Sequence, residues 1–235
     1  MIKDHQIATK EDWLKARKAL LAKEKQFTHL RDQLSAERRK LPWLRVEKNY
    51  VFDGSKGKES LSQLFGKRHQ LVIYHFMFAP EDDVGCKSCS FWADSFNGIV
   101  AHLDQRDVTF AAISRAPLAK LQGFARRLGW SFKWLSAGDS DFNYDFNVSF
   151  RPDETAKNLQ YNYAPVKEPN PDLPGVSVFF KDDEGGIFHT YSAYARGIDI
   201  LNTAYNYLDL VPKGRDEAGL PDTMEWVRLH DLYKR

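Results

Sequence analysis

The distribution of apolar residues divides the chain into one long helix and a following run of alternating strands and helices. From residue 9 to about residue 40, large apolar side chains recur every seven positions on a charged background, which predicts an amphipathic helix. The recurrence comprises Trp13, Leu20, Phe27, Leu34 and Leu41. Thr9 with Asp12 resembles a capping box at the start of this helix, and Pro42 ends it.

Strands and helices alternate after the turn at Asp53-Gly54. The segment 70–78 is almost continuously apolar, which is typical of a central strand that is buried on both faces. Further strands are predicted at 108–114, 131–135, 176–180 and 187–191, and the last two form a hairpin around residues 182–186. Helices are predicted at 90–103, 117–129 and 198–209, with a short one at 224–233.

The order of these core elements, β-α-β-α-β-β-β-α, defines the fold class. Strands joined through helices run parallel with right-handed crossovers, and the final hairpin adds antiparallel strands. The sequence therefore predicts an α/β protein, a thioredoxin-like sandwich with a central mixed sheet. Residues 1–50 form an N-terminal helical extension, 51–210 the thioredoxin-like domain with an insertion at 136–175 before the last hairpin, and 211–235 a C-terminal tail.

Composition supports a folded protein and argues against two classes of partner. The chain has 235 residues, of which 43% are hydrophobic and 28% charged, close to the average of globular proteins. A net charge of +2 argues against a dedicated nucleic-acid binder. The first residues lack the apolar stretch of a signal peptide, and the longest apolar run, 71–79, is too short to span a bilayer. We therefore expect a cytoplasmic protein that binds neither nucleic acid nor membrane.

The N-terminal extension differs in charge from the rest of the chain. Residues 1–50 hold 13 Lys and Arg against 7 Asp and Glu, a charge of +6, whereas the remainder holds 21 against 25, a charge of −4. Contact between the two parts, within one chain or with a second subunit, pairs these charges. Lys23 and Glu37 occupy core positions of the seven-residue pattern and argue against a pure coiled coil. A homodimer through this helix and a helix packed on its own domain both fit the pattern.

The two cysteines of the chain stand three residues apart, in Cys86-Lys87-Ser88-Cys89. In a reducing compartment such a pair is more often catalytic or metal-binding than structural. The pair lies between the first core strand and the next helix, where a helix N-terminus favours the Cys86 thiolate. Cys86 can then attack a substrate disulfide, and Cys89 resolves the mixed disulfide. The sequence predicts a thiol–disulfide oxidoreductase whose substrate is a disulfide-bearing protein or a small thiol, with no cofactor besides its own redox-active disulfide.

Two alternative functions stay open on the sequence. A closed zinc site needs four ligands and the chain has no second CxxC, but Cys86 and Cys89 with His75 or His189 form a set suited to copper or zinc. Met77 follows His75 by two positions and is expected on the same strand face. The other alternative is a non-catalytic interaction protein that assembles through the N-terminal helix.

Two prolines lie near positions that have a defined role in thioredoxin-like proteins. Peroxiredoxins carry Pro-x₃-Thr-x₂-Cys after the first core strand, but here Pro80 is followed by Val84 in place of Thr and the cysteine comes one residue early, so peroxidase activity is a minor option. Thioredoxin-like folds place a cis-proline before the strand that faces the cysteine pair. Pro174, which precedes the strand at 176–180, is the proline nearest that position.

Motifs along nearly the whole chain resemble those of the DUF899 family of thioredoxin-like proteins. They include Glu37-Arg38-Arg39-Lys40-Leu41-Pro42-Trp43, Tyr74-His75-Phe76-Met77-Phe78, Gly85-Cys86-Lys87-Ser88-Cys89-Ser90-Phe91-Trp92-Ala93-Asp94, Ser114-Arg115-Ala116-Pro117, Phe142-Asn143-Tyr144-Asp145-Phe146, the run His189 to Gly197, and Trp226-Val227-Arg228. The resemblance implies a thioredoxin-like fold and dithiol–disulfide oxidoreductase or isomerase activity centred on the cysteine pair. Lys87 departs from the family, where proline is common, and would change the reduction potential while keeping the dithiol.

A set of polar and aromatic residues supplements the cysteine pair as a candidate binding surface. Loop residues at one end of a sheet are where α/β proteins collect their sites, although a packed, hydrogen-bonded turn explains the run at 189–196 equally well. The candidate supporting residues are Lys87, Trp92, Asp94, Arg115, Pro174, His189, Tyr191 and Arg196.

Overall fold

A computed structural model describes residues 5–151, 159–167 and 169–234 of the chain. Its α-helices are α1 (Lys10–Arg38), α2 (Leu61–Leu64), α3 (Lys87–Ala93), α4 (Phe96–Asp104), α5 (Leu118–Arg127), α6 (Phe142–Asp145) and α7 (Thr203–Leu208). Its strands are β1 (Leu44–Arg45), β2 (Val51–Gly54), β3 (Gly57–Ser60), β4 (Gln70–His75), β5 (Val108–Ser114), β6 (Trp134–Ser136), β7 (Gln160–Tyr161), β8 (Ala164–Pro165), β9 (Gly175–Lys181) and β10 (Ile187–Tyr194). Two 3₁₀ helices span Ala195–Leu201 and His230–Leu232.

The main sheet has eight strands in the order β1-β10-β9-β4-β5-β6-β2-β3. Strand β4 pairs in parallel with β5, and β5 in parallel with β6, whereas β9 runs antiparallel between β4 and β10. The four strands β10, β9, β4 and β5 therefore form the mixed sheet of a thioredoxin fold, which confirms the predicted α/β class. Strands β7 and β8 form a separate hairpin inside the predicted insertion.

Strand β4 is covered on both faces, which explains its nearly continuous apolar sequence. Leu71 and Ile73 belong to one buried cluster, with Phe142 and Phe179, on one side of the sheet. Tyr74 belongs to the other cluster, with residues of α3, α4 and α5. This alternation fixes which side of the sheet each β4 side chain meets, because neighbouring residues of a strand point to opposite faces.

Several predicted helices differ from those in the structure. The helix predicted at 90–103 is two helices, α3 and α4, which are separated at Asp94 and Ser95. The helix predicted at 198–209 is a 3₁₀ helix followed by α7, because the Asn202 side chain accepts a hydrogen bond from the Tyr205 N–H and starts a new helix. The helix predicted at 224–233 is limited to the single 3₁₀ turn at His230–Leu232. The sequence analysis also missed β1 and the β2–β3 hairpin.

The parts outside the core contact it in different ways. Leu44 and Arg45, which fall inside the predicted extension, pair with β10 and form an edge of the sheet. The predicted tail returns to the core, where Val227 is buried and the Trp226 ring lies 5.4 Å from that of Phe91. Of the predicted insertion, residues 152–158 and 168 lie outside the described residues.

Helix α1 confirms the predicted long N-terminal helix, with Thr9 as the N-cap whose side chain accepts from the Asp12 N–H. None of its residues is buried. It meets the sheet only near its end, where the Arg38 guanidinium lies over the Tyr191 ring, 5.4 Å from its centroid. Among the described residues, neither this helix nor any other is long and apolar enough to cross a membrane.

Candidate active site around the cysteine pair

The two cysteines lie where β4 gives way to α3, and backbone N–H groups point at both sulfurs. Cys86 is the N-cap of α3, and its Sγ accepts a hydrogen bond from the Cys89 N–H at 3.5 Å. The Met77 N–H donates to the Cys89 Sγ, also at 3.5 Å. Each sulfur therefore has a hydrogen-bond donor that favours its thiolate form. Both are free thiols in the structure.

The loop before the cysteines is fixed by backbone contacts. The Ala79 N–H donates to the Asp82 carboxylate, and the Lys120 ammonium donates to the carbonyls of Pro80 and Asp82. Gly85 has no room for a side chain, because a Cβ there would lie 2.9 Å from ring carbons of Phe76 and Phe124. The loop before the cysteines is thus held by its own hydrogen bonds and by Lys120.

The two thiols differ in burial and in acidity. Cys86 is partly exposed, and hydrogen bonds from the Cys89 side chain and from the Cys89 and Ser88 N–H groups lower its pKa to about 6. Cys89 is only 1% exposed, and burial together with the neighbouring Cys86 raises its pKa. Cys86 is therefore the more acidic and the more accessible of the two thiols.

A cavity of about 220 Å³ opens beside Cys89. Its wall is mostly apolar and brings together the β4 end, α3, the loop before β9, the turn after β10 and the tail. The lining residues are Tyr74, Met77, Ser88, Cys89, Trp92, Pro174, Ala195, Arg196, Ile198, Asp199, Thr223 and Met224. A small molecule or a peptide side chain that enters it reaches the buried sulfur.

Three of the predicted supporting residues line this cavity. The Trp92 ring is held by a hydrogen bond from its Nε1 to the Ile198 carbonyl at 2.9 Å. Pro174 follows a trans peptide bond, and its carbonyl accepts from the Tyr161 hydroxyl at 2.6 Å. The Arg196 guanidinium is exposed at the rim, 3.2 Å from the Asp199 carboxylate.

Two others connect the cysteine helix to the tail. The Lys87 ammonium donates to the Glu225 carbonyl at 3.1 Å and lies 3.9 Å from the Glu225 carboxylate. The Asp94 carboxylate accepts from the Trp130 Nε1 at 2.9 Å and lies 2.7 Å from His230 Nδ1. These contacts hold the tail against α3.

Arg115 lies outside the cavity lining and forms a partly buried ion pair. Its guanidinium makes two hydrogen bonds with the Asp172 carboxylate, at 2.7 and 3.3 Å, and one with the Tyr144 hydroxyl at 3.4 Å. It joins the end of β5 to the inserted segment.

His75 and His189 contact the buried cluster on the other side of the sheet from the cysteines, and Tyr191 does not line the cavity. His75 stacks on Phe142 and Phe146 of the cluster opposite Tyr74, and its Nε2 lies 2.8 Å from Ser177 Oγ. A chain of contacts continues from Ser177 through Ser192 to His189 Nε2, with separations of 2.8 and 2.7 Å. Burial lowers the pKa of His75 to about 3 and lowers that of His189 as well.

The proposed metal set is therefore not assembled in this fold. Met77 packs with the cysteine cluster, so the expected shared face with His75 is wrong, because β4 ends at His75 and the alternation stops there. In the part of the chain that the structure describes, no group of three or more His, Cys, Asp and Glu side chains is placed to hold a metal ion. Tyr191 instead lies under Arg38 at the C-terminal end of α1.

Sequence reasoning missed Tyr74 and the tail residue Met224. Tyr74 is 1% exposed, its hydroxyl has no hydrogen bond of good geometry, and burial and the neighbouring Cys89 raise its pKa. Met224 has a positive φ of 64°, as has Ala195 at 48°, so the backbone is strained on two sides of the cavity. A tyrosine inside a buried apolar strand was the available signal for Tyr74.

The fold and the site define a thioredoxin-fold protein with a cysteine pair between the first core strand and the following helix. Residues 2–233 match the family described as "Bacterial protein of unknown function (DUF899)", so the chain belongs to the DUF899 family, as its motifs indicated. A search of curated proteins found no match.

Similar solved structures are peroxiredoxins. Peroxiredoxin Q from Xanthomonas campestris is 17% identical, with 67% of this chain and 90% of that chain covered and a TM-score of 0.44. Peroxidoxin BcpB from Mycobacterium tuberculosis is 15% identical, with 68% and 93% covered and a TM-score of 0.46. The mitochondrial 2-Cys peroxiredoxin from Plasmodium falciparum is 11% identical, with 71% and 92% covered and a TM-score of 0.41.

Proposed function

We propose that the protein is a thiol–disulfide oxidoreductase in which Cys86 is the nucleophile and Cys89 the resolving thiol. The observation that carries this proposal is the difference between the two sulfurs. Cys86 is partly exposed with a pKa lowered to about 6, whereas Cys89 is buried one turn further along α3 with a raised pKa. A nucleophile needs access and thiolate character, and a resolving thiol needs protection until the first step has occurred.

The reaction proceeds through two exchanges. The Cys86 thiolate attacks one sulfur of the substrate disulfide, the substrate S–S bond breaks, and the departing thiolate takes up a proton from water. Cys89 then gives up its proton to water and attacks Cys86 Sγ, the mixed S–S bond breaks, and the second substrate sulfur leaves as a thiolate that takes up a proton from water, which leaves a Cys86–Cys89 disulfide. The substrate gains two electrons and the protein loses two, so a small thiol or a dithiol protein must reduce the pair again.

The proposal is tested by titrating the dithiol against dithiothreitol and glutathione redox buffers. We expect a single two-electron transition between free thiols and the Cys86–Cys89 disulfide. The fraction of disulfide is measured by thiol labelling and mass spectrometry, and the metal content is measured in the same sample. A protein that forms no such disulfide under oxidised glutathione, or that carries stoichiometric metal lost on Cys86→Ser, contradicts the proposal.

Alkylation of Cys86 should follow its lowered pKa. The rate of reaction with iodoacetamide is expected to rise with pH and reach half its maximum near pH 6, because the thiolate fraction grows as pH passes the pKa. An ordinary thiol has its midpoint near about 8.5. Cys86→Ser is the control and should leave only slow labelling, since Cys89 is buried. A wild-type midpoint near the ordinary value contradicts the assignment.

Tyr74 is a positioning residue for the second exchange in this proposal. The neighbouring Tyr74 hydroxyl lowers the pKa of Cys89 against the opposing effect of burial, so Tyr74→Phe should slow the attack of Cys89 on the mixed disulfide by about tenfold. The first exchange, measured as Cys86 alkylation against pH, should be unchanged. Rapid-quench analysis of the mixed disulfide separates the two rates, and an unchanged release rate in Tyr74→Phe argues against this role.

A further inference from the structure

Helix α1 carries a row of large apolar side chains that the described part of the chain leaves exposed. The helix has 29 residues, and none of them is buried. Eight large apolar side chains along the helix and the turn after it are between 39% and 65% exposed. We call them the arm stripe; they are Trp13, Leu14, Leu20, Leu21, Phe27, Leu30, Leu34 and Leu41.

The size of the arm stripe matches that of a protein interface. Eight half-exposed Trp, Phe and Leu side chains present several hundred Å², on the order of the ~800 Å² per partner in a standard complex. Exposed apolar patches of this size are uncommon on monomers. A helix that meets the sheet near its C-terminal end and has no buried residue also lacks the source of most helical stability. These observations indicate that a partner covers the arm stripe.

Charge and spacing identify the partner as a second copy of this chain. Between Lys10 and Arg38 the helix holds 8 Lys and Arg against 5 Asp and Glu, so it is basic, whereas residues beyond 50 carry a charge of −4. A second copy therefore offers surfaces of the complementary sign. The recurrence every seven residues is the spacing that keeps one face of a helix against a protein partner. Five interspersed acids, and the ion pair of Arg17 with Glu24, disfavour an anionic lipid surface.

The surface continues past the helix into the edge of the sheet. Trp43 and Leu44 follow the arm stripe and are exposed by 50% and 68%, and Leu44 belongs to the two-residue edge strand β1. Leu41 and Leu44 line one cavity together with Tyr191. We propose that the arm stripe and this adjoining edge form the interface of a homodimer, in which a second copy of the chain covers α1.

The test is the oligomeric state of the full chain. Sedimentation velocity should show a species of twice the 27.2 kDa chain mass, with dissociation on dilution. Leu20→Glu with Phe27→Glu should weaken association at least about 100-fold, because two apolar contacts are replaced by carboxylates. Ala22→Glu is the control, since it adds a carboxylate to the opposite helix face at an exposed position and should leave the dimer intact.

Each alternative outcome overturns the proposal. A wild-type chain that stays monomeric at about 100 µM, or a dimer that the double variant leaves unchanged, excludes the arm stripe as its interface. A monomer that binds vesicles of anionic phospholipid assigns the stripe to a membrane surface. Near-UV circular dichroism checks that the double variant is folded. Its spectrum should match that of the wild type, because both replaced side chains are exposed within their own chain.

Discussion

Cys86→Ser is expected to abolish disulfide reduction, with a loss of at least about 10³-fold in turnover of a model disulfide such as oxidised glutathione or insulin. Serine cannot provide a thiolate, and the remaining thiol is the buried Cys89, whose pKa is raised. No other cysteine exists in the chain to take over the first step. The measurement is the steady-state rate with a thiol reductant that regenerates the protein.

Cys89→Ser tests the second exchange, as Cys86→Ser tests the first. Cys86 keeps its N-cap position and the N–H donor at residue 89, so the first exchange should proceed and a mixed disulfide should accumulate. Intact-mass analysis detects the adduct, which should be released on adding dithiothreitol. If Cys89→Ser turns over like the wild type, or if Cys86→Ser forms the adduct instead, the two roles are reversed or absent.

The fold was predictable because its strongest signals are local. The apolar run at 70–78 marks the central strand, and the CxxC that follows it after the loop at 79–85 lies at the start of α3 as expected. Alternation along β4 also places Tyr74 on the cysteine side and Ile73 on the other. The same alternation places the His75 imidazole on the side of Ile73, away from the sulfurs. It does not extend to Met77, because β4 ends at His75, and the predicted shared face of His75 and Met77 is therefore wrong.

The remainder of the site depends on contacts between distant segments. Met224 and Thr223 reach the cavity because the tail folds back over α3, held by Lys87 and Glu225. No periodicity marks that path, since the tail has only one 3₁₀ turn among its described residues. The sequence predicts Arg115 and Asp94 as parts of a binding surface, but their partners are Asp172, Trp130 and His230, which sequence spacing does not reveal.

The ion pair of Arg115 with Asp172 is expected to stabilise the fold. The side chains of Arg115 and Asp172 are only 13% and 9% exposed, and the carboxylate also accepts from the Ser149 hydroxyl at 2.5 Å. The pair links the end of β5 to residues of the insertion that precede β9. Removing one partner of a buried pair leaves the other charge without compensation, which costs more than the pair itself contributes.

Arg115→Ala should therefore lower the free energy of unfolding by about 3 kcal/mol, measured as the shift in the midpoint of guanidinium denaturation. Lys58→Ala is the matched control, because its ion pair with Asp53 is 76% and 44% exposed and should contribute less than about 1 kcal/mol. The alkylation midpoint of Cys86 near pH 6 should be the same in Arg115→Ala, since Arg115 does not line the cavity. A shifted alkylation midpoint with an unchanged free energy of unfolding would instead show that Arg115 acts on the cysteine site, as the sequence predicts.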